Sequence, residues 1–167
     1  MVRVALEEAS AAEPGGGVAA VLRGAEWLLA STPPDRVFSP ERLTDEQRLI
    51  ARTTTEFVAG DVLPALDALE HKDWAVARRL LRRCGELGLL AADAPEAYGG
   101  LQLDKIASMI VSERMSKAAS FSSTFGAQAN LTVLPLSLFG SDAQKRQYLP
   151  KLVAGELVGA YCLSEAS

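Results

Sequence analysis

From Phe121 to Phe139 the chain runs nineteen residues without a charge. The polar groups there are hydroxyls and amides, among them Ser122, Ser123, Thr124, Gln128, Asn130 and Thr132. A helix that is apolar nearly all round is stable only when other elements cover it. This segment therefore demands a bundle, with the remaining helices arranged around it. Gly126, Ala127 and Ala129 thin it locally, which implies that something comes close, either another backbone or a ligand. Close packing is the commoner cause. Pro135 is expected to kink the helix and Gly140 to end it.

The covering helices are readable from caps and periodicity. Residues 1–17 close on Pro14-Gly15-Gly16-Gly17 and read as a loose arm. Val18, Val21, Leu22, Ala25, Leu28 and Leu29 have helical spacing, and Ser31-Thr32-Pro33-Pro34-Asp35 ends that short helix. Thr44-Asp45-Glu46-Gln47 is a capping box. Behind it Leu49, Ile50, Phe57 and Val58 carry a helix to about Val62, where Pro64 kinks or ends it. A further turn runs through Leu66 and Leu69. Trp74, Ala77, Leu80, Leu81, Cys84 and Leu87 make the apolar stripe of the next helix, stopped by Gly88. Arg78, Arg79, Arg82 and Arg83 lie away from most of that stripe and read as a solvated face rather than an anion site. Leu89-Leu90-Ala91-Ala92 reads as a short extended piece, and Pro95 to Gly100 as a turn. Asp104 caps a helix through Ala118, with Ile106, Met109, Ile110 and Met115 inward. Ser141-Asp142-Ala143-Gln144 is a second capping box, and Pro150 is expected to bend or divide the helix that follows. The tally is about six helices, with no repeat period, and then one strand: an all-α fold.

That strand is Leu157 to Leu163, apolar and rich in Val, Tyr and Leu. After it the character switches to Ser164-Glu165-Ala166-Ser167. Its simplest reading is a core strand; its other reading is the entrance to a site.

Composition narrows the function. Net charge is −4, and Lys and Arg form no phosphate-binding patch, which argues against a nucleic-acid partner. The two cysteines, Cys84 and Cys162, are far apart and in no metal or redox pattern, as expected for reduced thiols in a cytoplasmic protein. No apolar run approaches the roughly 18 residues that a membrane span needs. The acidic N-terminus (Glu7, Glu8, Glu13) is unlike a transit peptide. The single histidine, His71, lies in a polar connection and can form neither a triad nor a zinc site with the residues around it. No phosphate-binding glycine motif is present. Glu113, Glu156 and Glu165 have no partner that spacing identifies. The residues alone thus give a helical domain with one suggestive exit.

Three segments, in order and at matching intervals, carry a resemblance. Pro95-Glu96-Ala97-Tyr98-Gly99-Gly100 resembles the PEEYGG turn of acyl-CoA dehydrogenases. Leu138 to Leu152 resembles that family's LFGTEEQKQRYLPKL segment. Tyr161-Cys162-Leu163-Ser164-Glu165 resembles the start of its YCLTEPGAGSD flavin-binding signature. The resemblance covers residues 36–167, and Val37-Phe38-Ser39-Pro40-Glu41 points toward the very-long-chain-like branch. Beyond the arm and short helix already read over 1–35, it implies a helical N-terminal domain of the acyl-CoA dehydrogenase type over 36–156 and the first strand of a middle β-domain over 157–167. It also implies FAD as cofactor, fatty acyl-CoA as substrate, an electron-transfer flavoprotein as partner and a homo-oligomer. The catalytic glutamate of the family would lie beyond Ser167, so no residue of this chain is assigned that role.

Carried over by position, Tyr161, Cys162, Leu163, Ser164 and Glu165 fall where the family contacts the flavin. Ser164 stands for the usual threonine and keeps the hydroxyl that donates to the ring. Ala166 replaces the usual proline, which loosens the turn after Glu165. Ser123, Thr124, Gly126, Ala127 and Leu131 fall on the helix that lines the acyl pocket, and Gly126-Ala127 would leave room for a long chain. The expected function is thus the N-terminal portion of an FAD-dependent acyl-CoA dehydrogenase. Acyl-CoA oxidases and nitroalkane-type flavoenzymes share these features. From a different class, the alternative is a helical interaction module of the same ancestry without catalysis.

Overall fold

The computed structural model describes residues 26–31 and 38–165. Two compact units divide between Leu43 and Thr44. The first contains helix α1 (Glu26–Leu29) and a 3-10 turn at Pro40–Arg42. Most of the helix expected over 18–30, its prolines Pro33 and Pro34, and Ala166 lie outside the described residues.

The second unit opens as its capping box dictates. The Thr44 hydroxyl accepts from the Gln47 amide at 3.1 Å, and Gln47 Oε1 accepts from the Thr44 amide at 3.0 Å. This starts α2 (Asp45–Phe57). Gln47 is buried, and its Nε2 also donates to Asp104 Oδ2 at 2.8 Å. Asp104 in turn caps α5 (Lys105–Met115) by accepting from the Ala107 amide at 2.7 Å. One glutamine thus closes its own helix end and ties it to the start of another, and α2 packs along α5.

After α2 the backbone widens into a π turn (Val58–Val62) and tightens into a 3-10 turn (Leu63–Ala65) before α3 (Leu66–Glu70). Pro64 has no amide to donate, so the hydrogen-bond ladder changes pitch there. Helix α4 (Trp74–Glu86) is capped by the Asp73 carboxylate, which accepts from Ala75 and Val76 at 3.0 and 3.1 Å. A 3-10 turn at Ser116–Ala118 follows α5, and then comes α6 (Ser120–Gln128). A second π segment (Ala129–Val133) leads into α7 (Leu134–Phe139), and the capped α8 (Asp142–Val153) completes the order.

The principal core joins Phe57, Val58 and Val62 to Leu80, Leu81 and Cys84 of α4, and to Val111, Met115, Phe121 and Phe125. Phe57 and Phe121 meet as a tilted pair, ring centroids 6.2 Å apart. A second cluster packs Ala91, Ala94 and Val133 against Leu149, Leu152 and Val153.

Several expectations change. The uncharged segment is not buried all round: Leu131, Leu138 and Phe139 are exposed, and the π segment interrupts it. Trp74 and Met109 point outward, because each lies at the edge or beyond the stripe that its own helix buries. Leu49 is exposed as well, while Phe57 and Val58 lie in the core. Leu89 to Ala92 form buried turns rather than an extended piece. Pro150 is accommodated within a single α8. The arginines Arg78, Arg79, Arg82 and Arg83 are exposed as read, and Arg83 pairs with Glu86 at 2.8 Å.

The end of α8 crosses α4 at backbone distance. A Cβ on Gly85 would fall 2.3 Å from the Ala154 carbonyl, and one on Gly155 2.5 Å from the Leu81 carbonyl oxygen. Gly155 also needs its φ of +69°. Gly155→Ala is therefore expected to cost about 2–4 kcal/mol in urea unfolding, from left-handed backbone and collision together. Gly60→Ala, whose Cβ would meet nothing within 4 Å in a helical segment, should by contrast stabilise slightly, by about 0.5–1 kcal/mol.

Candidate functional site

Beyond Gly155 the chain leaves the bundle, and a buried amide side chain directs it. Gln128, the last residue of α6, is 1% exposed. Its Nε2 donates to the Leu152 carbonyl and to the Leu157 carbonyl, both at 2.9 Å. Its Oε1 accepts from the Gly159 amide at 2.8 Å. Both donor hydrogens and one acceptor site are thus committed, as burial of an amide requires. Thr132 completes the contact. Its hydroxyl donates to the Ala127 carbonyl at 2.9 Å, and its side chain lies where a Cβ on Gly159 would fall, 2.2 Å from Cγ2.

No strand forms over Leu157 to Leu163, and no strand occurs elsewhere among the described residues. A strand exists only through its ladder, and the backbone amides of 160–165 donate no hydrogen bond among the described residues. Leu157, Val158, Tyr161 and Leu163 are exposed rather than buried. Cys162, Ser164 and Glu165 are exposed with them. The five residues expected to meet a flavin ring therefore stand together on one segment. The hydroxyl of Ser164 and the amides around it are without partners among the described residues. Unpaired donors at an exposed segment fit the acceptor-rich edge of an isoalloxazine ring.

The other candidate set lies on α6 and the π segment. Phe121, Phe125 and Gln128 face the bundle. Ser123 and Leu131 are exposed, and Thr124, Gly126 and Ala127 are half-buried. A Cβ on Gly126 would meet nothing within 4 Å, so close packing within these residues does not explain this glycine. The two candidate sets share no hydrogen bond among the described residues. They are joined through neighbours: Gln128 follows Ala127, Thr132 follows Leu131, and both hold Gly159. Sequence reading passed over Gln128 as one polar residue among several. The signal was present: an amide in an uncharged helix needs partners.

The arrangement defines a class: a helical domain whose central helix turns a small-residue stripe outward and clamps the segment leaving the bundle. The family model described as acyl-CoA dehydrogenase, N-terminal domain, matches residues 44–156. The chain belongs to that family. It is 46% identical over 145 residues to a probable acyl-CoA dehydrogenase of Bacillus subtilis (strain 168), covering 87% of this chain and 24% of that protein. It superposes on the crystal structure of an acyl-CoA dehydrogenase complexed with FAD from Bacillus anthracis with a TM-score of 0.77 and 43% identity, over 81% of this chain and 23% of that one. A solved structure described as electron transferring flavoprotein of Acidaminococcus fermentans matches with a TM-score of 0.64 and 32% identity, over 77% of this chain and 34% of that one. The chain thus spans about a quarter of the length of the first two proteins. No helix among the described residues is long and apolar enough to cross a membrane.

The two thiols are set apart by the same fold. Burial pushes the Cys84 thiol well above its ordinary value of 9.0, with Asp61 adding to the shift, while Cys162 is exposed. A disulfide reagent at pH 8 should modify one thiol in the native chain and both in denaturant. Because folded Cys84 keeps its proton where the unfolded thiol loses it, stability should fall as pH rises above about 9, by up to ~1.4 kcal/mol per unit. Comparing urea unfolding with Cys84→Ala across that range isolates the effect.

Proposed function

We propose that this chain is the N-terminal portion of an FAD-dependent acyl-CoA dehydrogenase acting on long-chain fatty acyl-CoA thioesters. Residues 44–156 are its helical domain, and 157–167 begin its middle domain. The match of residues 44–156 to the acyl-CoA dehydrogenase N-terminal domain carries the reading. The FAD complex of the Bacillus anthracis protein supports the choice of cofactor.

In this reading the Tyr161–Glu165 segment lies along the flavin. Ser164 and its amide donate to the pyrimidine side, where donors stabilise the negative charge of the reduced ring. FAD, when bound, supplies the acceptor for the hydride that leaves the acyl β-carbon. The outward stripe of Ser123, Thr124, Gly126, Ala127 and Leu131 lines the acyl chain. The small residues Gly126 and Ala127 leave space there and admit a long chain. The base that removes the α-proton comes from outside residues 44–156. An electron-transfer flavoprotein receives the electrons, and the whole enzyme is a cytoplasmic homo-oligomer. Exposed Leu131, Leu138 and Phe139 are apolar surface of the kind that further domains or subunits cover.

Filling the space at Gly126 tests the pocket. In the whole enzyme Gly126→Leu should lower kcat/KM for the longest acyl-CoA by about tenfold or more while sparing short ones. An unchanged chain-length preference would contradict the assignment.

A further inference from the structure

We propose that Gln128, backed by Thr132, is a positioning residue: it fixes the register in which the Tyr161–Glu165 segment meets the flavin, and it links that register to the helix lining the acyl chain. The proposal rests on the functional reading above. Gln128 anchors the segment twice, at the Leu157 carbonyl and the Gly159 amide, and holds it to the end of α8 through Leu152.

Register matters because extended backbone alternates its faces. With Gly159 fixed, an extended chain turns Cys162 and Ser164 to one side and Tyr161 and Leu163 to the other. A slip of one residue would offer the apolar Leu163 where Ser164 should stand. The clamp prevents that slip sterically as well as through hydrogen bonds. Gly159 lies against the Thr132 side chain with no room for a Cβ, so only glycine fits, and its neighbours Val158 and Ala160 do not.

The same two residues belong to the acyl-pocket helix. Gln128 and Thr132 each follow a stripe residue, Ala127 and Leu131, and the Thr132 hydroxyl holds the Ala127 carbonyl across the π segment. Such π segments interrupt helices most often at functional sites. A displacement of Ala127 by a bound acyl chain therefore reaches Gly159 through one intervening side chain.

The test uses the holoenzyme and reads the flavin directly. Gln128→Leu keeps the volume and removes all three hydrogen bonds. The expected result is a changed flavin absorption band and a tenfold or greater loss in the equilibrium preference for reduced flavin, about 30 mV for a two-electron couple. Gln128→Glu, which still accepts from Gly159, should give a smaller shift. Gly159→Ala, placed outside both hydrophobic clusters, should reproduce the Gln128→Leu spectrum without lowering the melting temperature of the helical bundle. Wild-type potential and spectrum in folded, flavin-loaded Gln128→Leu and Gly159→Ala would overturn the positioning role alone. A wild-type protein that carries no flavin would overturn the functional reading, and this proposal with it.

Discussion

One buried amide fixes where this chain goes after its last helix. Gln128 commits both donor hydrogens to carbonyls, Leu152 at the end of α8 and Leu157 on the departing segment, and its oxygen accepts from the Gly159 amide of that segment. In a dry interior such a group is costly when unpaired and rigidifying when satisfied. The three partners come from the end of α8 and from the exit, so the amide holds together pieces that no hydrophobic cluster joins. Residues 160–165 have no backbone hydrogen bonds of their own among the described residues. Their place is inherited from the clamp.

The rest of the bundle supports that point. Gly85 and Gly155 let α4 and the end of α8 meet backbone to backbone, which brings Leu152 and Leu157 to the height of Gln128. Phe121 and Phe125 bury one side of α6 in the principal core and leave the small-residue stripe outside that core. One helix therefore serves two candidate surfaces: its inner face steers the exit, and its outer face stays open. The linked caps of α2 and α5, through Gln47 and Asp104, fix the other end of the bundle.

Local chemistry made much of this readable in advance. Thr44 with Gln47, Ser141 with Gln144, and Asp104 all cap helices as their spacing implies, because a cap needs only residues within one turn. Gly88 and Gly99 have positive φ where the helix stop and the turn are expected. The misreadings share a cause in long-range structure. Periodicity identified a stripe on α4 and α5 but not its width, so Trp74 and Met109 were counted inward. The expected strand lacks a partner strand, which its own residues cannot supply. Gln128 escaped notice because its partners lie 24 to 31 residues away. The candidate residue sets came only from resemblance to a family, whereas the link between them was visible only in three dimensions.

An N-terminal acyl-CoA dehydrogenase domain of this kind is a scaffold that holds two surfaces in a fixed relation. In the function proposed above, its contribution would be geometric, through an outward stripe and a clamped segment. Amide hydrogen exchange across residues 155–165 measures the clamp most directly. The Gly159 amide, donating to a buried oxygen, should exchange at least tenfold more slowly than the amides of Tyr161 to Glu165, a difference of about 1.4 kcal/mol in opening free energy. A Gly159 amide that exchanges as fast as those neighbours would mean that Gln128 does not hold the segment, and the central claim would fail.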